Sequence, residues 1–92
     1  MYRIKFTKSF KKSIKRIKFS GGKKLIIEIE EVVENISNGK KLGIKYQDHK
    51  LNGTLQYYRE CHVRPDLLLI YQIDKEQLIL VDIGPHSYLF KG

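Results

Sequence analysis

Ninety-two residues, 41% hydrophobic and 30% charged, describe one globular domain over 1–92, large enough for a single core of modest stability. Eighteen Lys and Arg against ten Asp and Glu give a formal net charge of +8, which favours an anionic partner. The sequence predicts no membrane span and shows no signal peptide, and its lone Cys61 precludes an internal disulfide and fits a reducing cytoplasm.

Tyr2-Arg3-Ile4-Lys5-Phe6 alternates and predicts a short strand. Thr7 suits a helix N-cap. Phe10, Ile14 and Ile17 follow at helical spacing, with lysines on the other faces. Ser20-Gly21-Gly22 breaks this helix. A second helix is expected from about Lys23 to Ile36, where Leu25, Ile29, Val32, Val33 and Ile36 form one apolar stripe, and Asn38-Gly39 supplies the stop. The short turn between them makes the two helices an antiparallel hairpin. Residues 40–53 are polar and read as a loop. Three strands follow. The first is expected over Leu55 to His62, with Tyr57 and Tyr58 inside it. The second, Leu67 to Ile73, is apolar on both faces and therefore central. Asp74-Lys75-Glu76-Gln77 turns the chain into the third, Leu78 to Ile83. Gly84-Pro85 ends it, and His86, Tyr88, Leu89 and Phe90 stand in the closing segment. The order β-α-α-β-β-β predicts an α+β fold: an N-terminal strand, an antiparallel helical hairpin on one sheet face, and a three-stranded antiparallel meander.

Residues 1–24 hold ten Lys or Arg and no acid. Lys11, Lys12, Lys15 and Arg16 fall on the first helix, a stripe suited to RNA phosphates or to an acidic protein. The three histidines each stand beside a turn signal, and one Cys with three His at these spacings does not match a structural zinc site. His62 ends one strand, Asp66 precedes the next across Pro65, and His86 follows the last. If those strands are neighbours, the three share one edge of the sheet, and the loop can bring His49 there. Imidazoles beside Lys50, Arg59 and Arg64 suit metal-free RNA cleavage. A 2′-hydroxyl attacks the adjacent phosphorus, one group takes its proton, another protonates the departing 5′-oxygen, and cations stabilise the phosphorane. Tyr88 or Phe90 offers a surface for an unpaired base.

Three stretches together resemble the YafQ branch of the RelE/ParE toxin superfamily. They are Asp48-His49-Lys50-Leu51-Asn52-Gly53, then Tyr58-Arg59-Glu60-Cys61-His62-Val63-Arg64-Pro65-Asp66-Leu67-Leu68-Leu69-Ile70-Tyr71, then Ile83-Gly84-Pro85-His86-Ser87-Tyr88-Leu89-Phe90. The resemblance is close over residues 40–90 and limited to element order before them. It implies a RelE-like fold and a type II toxin–antitoxin toxin. Such a toxin is a cytosolic mRNA interferase that cuts mRNA in the ribosomal A site without a metal or other cofactor. It also implies a cognate antitoxin, and operator DNA bound by the toxin–antitoxin pair. The family's functional positions fall on His49, His62, Asp66, His86 and Phe90. His86 is expected as general acid, the other histidines and Asp66 as positioning and proton-accepting groups, and Phe90 as support. This chain has Leu67 where some members carry Trp, which bears on codon preference, and Pro85 stiffens the approach to His86. Two other readings are a non-enzymatic ParE-like gyrase inhibitor and a DNA-binding component of a repressor complex. The histidines supply no reason for either.

Overall fold

The computed structural model describes residues 1–52 and 57–90. Its elements run β1 (Arg3–Phe6), α1 (Lys8–Phe19), α2 (Lys23–Ser37), a 3-10 turn (Ile44–Tyr46), β2 (His49–Lys50), β3 (Arg59–Arg64), β4 (Leu67–Asp74), β5 (Gln77–Gly84) and α3 (His86–Leu89). The strands form one sheet in the order β1-β5-β4-β3-β2. The meander β3-β4-β5 is antiparallel, whereas β1 joins β5 in parallel, so the sheet is mixed.

The helices form where local chemistry directs them. Thr7 caps α1 by accepting a hydrogen bond from the Phe10 amide at 3.2 Å. The same hydroxyl reaches the carbonyl oxygens of Leu80 and Val81 at 2.9 and 2.8 Å. The start of α1 is thereby pinned to β5. Gly39, beyond α2, takes φ 73°, a left-handed conformation that glycine adopts without steric cost.

The apolar stripes of both helices cover one face of the sheet. Phe10, Ile29, Val32, Val33 and Ile36 meet Cys61, Val63, Leu67, Leu69, Tyr71, Leu78, Leu80 and Ile83 in one core. Leu68 and Ile70 are also buried, although alternation turns them to the other face. The central strand is thus apolar on both sides, as its sequence predicts.

Two expectations need correction. The strand expected over Leu55 to His62 begins at Arg59 and continues to Arg64, because β4 starts at Leu67 directly across a two-residue turn and pairs it with Arg64. Tyr57 lies in a turn before it, and Leu55 and Gln56 fall outside the described residues. Residues 40–53 are more than a loop. They include the 3-10 turn and β2, whose His49 and Lys50 pair with Glu60 and Arg59. A two-residue strand has no periodicity to betray it.

Burial pushes the Cys61 thiol up to about 12 from an ordinary 9.0, helped by the negative charges of Asp48 and Glu60. It also raises the Tyr71 phenol, whose proton is further held by Asp48. Both protons are bound more tightly in the folded protein, and the Cys61 contribution to stability is intact below pH 9 and is lost as pH rises through 9.0 to about 12. Cys61→Ala should therefore lower stability at neutral pH by roughly 1 kcal/mol and flatten its decline over this alkaline window. Chemical unfolding at stepped pH measures both, and a slope equal to that of the wild type would contradict the assignment.

Candidate active site

On β3, alternation separates two sets of side chains. Cys61 and Val63 enter the core beneath the helices, so Glu60 and His62 belong to the opposite face. Glu60 is almost wholly withdrawn from water, at 7% exposure. A buried carboxylate needs compensating charge or hydrogen bonds, and two imidazoles are placed to provide it. His49 Nε2 stands 3.7 Å from Glu60 Oε1, and His62 Nε2 stands 3.5 Å from the same oxygen. These are ion-pair separations, longer than a direct hydrogen bond.

The other nitrogen of each ring is already engaged. His49 Nδ1 lies 2.6 Å from the Gln47 carbonyl oxygen, and His62 Nδ1 lies 3.3 Å from that of Pro65. A carbonyl can only accept, so each Nδ1 carries the proton in those contacts. Each Nε2 is then the atom free to exchange a proton. Both face the same carboxylate oxygen of Glu60.

A polar cluster anchors His49. Its neighbour Asp48 accepts a hydrogen bond from the Tyr71 hydroxyl at 2.5 Å and from Arg59 Nε at 3.3 Å, and pairs with Arg59 Nη2 at 3.2 Å. Arg59 Nε also donates to the Tyr71 oxygen at 3.3 Å. Partial burial opposes the Arg59 charge, but Asp48 and Tyr71 outweigh it and raise its pKa. The cluster ties residues before β2 to β3 and β4, which sets His49 opposite Glu60.

Sheet register places the remaining groups. His62 pairs with Leu68, and Leu68 pairs with Gly84. At about 4.8 Å between strands, Gly84 lies roughly 10 Å from His62. His86 follows two residues later, exposed at the start of α3. The Phe90 ring packs on its imidazole with centroids 4.7 Å apart. Asp66 stands exposed in the turn between β3 and β4, at the same end of the sheet, where its negative charge bears on Arg64.

Of the residues expected from sequence, the fold brings His49 and His62 together around Glu60, and joins His86 to Phe90. Asp66 and His86 arrive at their end of the sheet by topology. Lys50 is exposed on β2. Arg59 is engaged by Asp48 and Tyr71. Arg64 pairs with Glu28 on α2, donating from Nε at 3.3 Å and from Nη2. The Arg64 hydrogen bond holds the Glu28 carboxyl below its usual range. Lys11, Lys12 and Lys15 are exposed on α1, whereas Arg16 bonds to Tyr88. Glu60 is absent from the sequence-based set. Its signal was its place two residues before His62 in a predicted strand, which puts both on one face. Among the described residues, no group of three or more His, Cys, Asp or Glu is arranged to hold a metal ion.

A family model for the bacterial toxin of the type II toxin–antitoxin system, YafQ, matches residues 2–91. The chain belongs to the YafQ toxin family. It is 40% identical over 55 residues to the mRNA interferase toxin YafQ of Escherichia coli strain K12, and spans 60% of that relative's length. A metal-bound toxin from Helicobacter pylori superposes with a TM-score of 0.89 at 42% identity, covering 98% of this chain and 100% of that one. The E. coli DinJ–YafQ complex contains a chain that superposes at 0.86 with 27% identity, covering 98% and 99%. The YafQ chain of that complex thus shares this fold over nearly its whole length.

Removing the Asp48 carboxylate tests the anchor. Asp48→Ala should cost roughly 1–3 kcal/mol, since Arg59 and Tyr71 lose their acceptor, and should let His49 leave Glu60. Denaturant unfolding reads the first effect and a crystal structure of the variant the second. An unchanged His49–Glu60 separation would show that β2 is positioned by other means.

Proposed function

We propose that the chain is a single-domain toxin that cuts mRNA on the ribosome by metal-free acid/base chemistry, and that a cognate antitoxin restrains it. The observation that carries this reading is the carboxylate of Glu60 held between the Nε2 atoms of His49 and His62, at 3.7 and 3.5 Å. His86 stands at the nearby end of the same sheet. Family membership supports the toxin class, and the E. coli relative's name supports the RNA chemistry. The complex of a related YafQ with DinJ supports an antitoxin partner. The pair is proposed to bind operator DNA, and the working place is the cytoplasm. Among the described residues no helix is long and apolar enough to cross a membrane.

In this mechanism a ribose 2′-oxygen attacks the adjacent phosphorus. Its proton passes to the His49–Glu60–His62 trio through an Nε2 edge. The bond from phosphorus to the 5′-oxygen breaks, and His86 delivers a proton to that oxygen. The products are a 2′,3′-cyclic phosphate and a 5′-hydroxyl. Phe90, stacked on His86, orients its ring. Asp66 positions the histidines at this end of the sheet, and the exposed Lys50 adds positive charge near the RNA, while Arg59 and Arg64 are spent on Asp48 and Glu28. The exposed Lys11, Lys12 and Lys15 on α1 bind ribosomal RNA or an acidic antitoxin.

His86→Ala and Glu60→Gln should each slow cleavage of ribosome-bound mRNA by about 10²–10⁴-fold, the usual contribution of a positioned acid or base. Mapping new mRNA 5′ ends after induction, together with single-turnover rates, provides the measurement. Wild-type cleavage by His86→Ala would overturn its role. Stalled gyrase–DNA complexes with intact mRNA would point to a ParE-like inhibitor instead.

Charge reversal of Lys11, Lys12 and Lys15 should weaken ribosome binding and reduce the slope of log K against log salt, by about 0.7–0.9 for each phosphate no longer neutralised. An unaltered slope would remove α1 from the RNA-facing surface.

A further inference from the structure

The segment bearing His86 is a single helical turn of four residues. So short a helix does not hold itself in water, and its position must come from what it touches. Tyr88 makes that contact. Its ring lies so close to Gly84 that a Cβ there would stand 2.9 Å from Tyr88 Cδ2. The Arg16 guanidinium covers the ring at 4.8 Å from its centroid, and Arg16 Nη2 donates to the Tyr88 oxygen at 3.3 Å. Arg16, with Ser13 behind it, holds the Tyr88 phenol below its usual range.

The helix that carries Arg16 is fixed to the sheet. Ser13, one turn earlier on α1 and 2% exposed, donates to Asp82 Oδ1 at 2.6 Å. Asp82 Oδ1 also accepts from the Ile83 amide at 2.8 Å. The pairing of β4 with β5 shifts register between Ile70 and Tyr71, from Asp82 to Leu80. Such irregularities re-aim side chains, and here Asp82 meets α1. Asp82 and Ser13 therefore tie α1 to β5, and Arg16, one turn further along α1, meets Tyr88 on the turn that carries His86.

We propose that Arg16 and Tyr88 are positioning residues for His86, with Gly84 kept free of a side chain so that the Tyr88 ring can seat. The proposal rests on the RNA-cleaving role of His86 argued above. It separates Arg16 from the exposed lysines of α1, because its guanidinium is committed to Tyr88.

Two readouts test this on ribosome-bound mRNA and on the free protein. The first is kcat against KM. The second is the side-chain NMR signals of His86, which feel the ring current of Phe90 and need no catalysis. Arg16→Gln and Gly84→Ala should lower kcat by about 10-fold or more with KM within about 2-fold, as sub-ångström to 1 Å misplacement of a reacting group does. Both should shift the His86 signals. Tyr88→Phe keeps the ring and should lose under about 3-fold, and Arg16→Lys should recover part of the Arg16→Gln deficit, since both conserve the cation–ring contact. An Arg16→Gln protein with wild-type kcat, unmoved His86 signals and raised KM would overturn the proposal and make Arg16 an RNA-binding residue. If wild-type protein and His86→Ala behave alike on mRNA, the cleavage reading fails. The His86 signals then still decide whether Arg16 and Tyr88 hold α3.

Discussion

A carboxylate removed from water must be answered by charge or by hydrogen bonds, or folding becomes costly. Glu60 is the place where this protein meets that constraint, with the Nε2 atoms of two imidazoles facing one of its oxygens. The arrangement requires β2 beside β3, so a strand of only two residues becomes indispensable. It also requires His62 to share a face with Glu60, which strand alternation supplies. Because each Nδ1 is spent on a backbone carbonyl, the Nε2 edges of both rings are turned to the same point. One buried charge thus organises a loop, two strands and the proton chemistry proposed for them.

The two faces of the sheet divide the work. One packs Phe10, Ile29, Val32, Val33 and Ile36 from the helices against the strands, and its apolar burial supplies most of the stability. The other carries Glu60 and His62. Two of the polar links within this architecture lie beside the proposed site. Asp48, Arg59 and Tyr71 connect the residue beside His49 to the core strand β4. Ser13 and Asp82 connect α1 to β5, close to the turn that bears His86. The rigidity of the packed layer is thereby passed to both ends of the proposed site.

Much of this was legible in the sequence. Period-2 and period-3.6 patterns located β1, both helices, β4 and β5 within a residue or two, and Leu67 to Ile73 announced a central strand by being apolar on both faces. Turn residues located Asp66 and His86 at strand ends, and antiparallel neighbours then had to share an end, whereas His62 lies inside β3, two residues before its end. What escaped was non-local. No pattern reveals that β1 pairs in parallel with β5, some 74 residues on, as the Arg3–Gln77 register shows. Arg59 and Arg64 look like free cations until the fold supplies Asp48 and Glu28, the latter 36 residues away. Glu60 was visible as a same-face neighbour of His62, but only the placement of β2 reveals that it also meets His49.

Central to the proposed chemistry is that RNA reacts on the sheet face, between the Glu60 trio and His86. A structure of the protein on a programmed ribosome, with 2′-O-methyl ribose at the cut position, tests it most directly. The 2′-oxygen is expected at the Nε2 edge of His49 or His62, and the 5′-oxygen of the adjacent phosphate within hydrogen-bond reach of His86. Ribosomal or messenger RNA seated only along α1, with no phosphate against the sheet face, would contradict it.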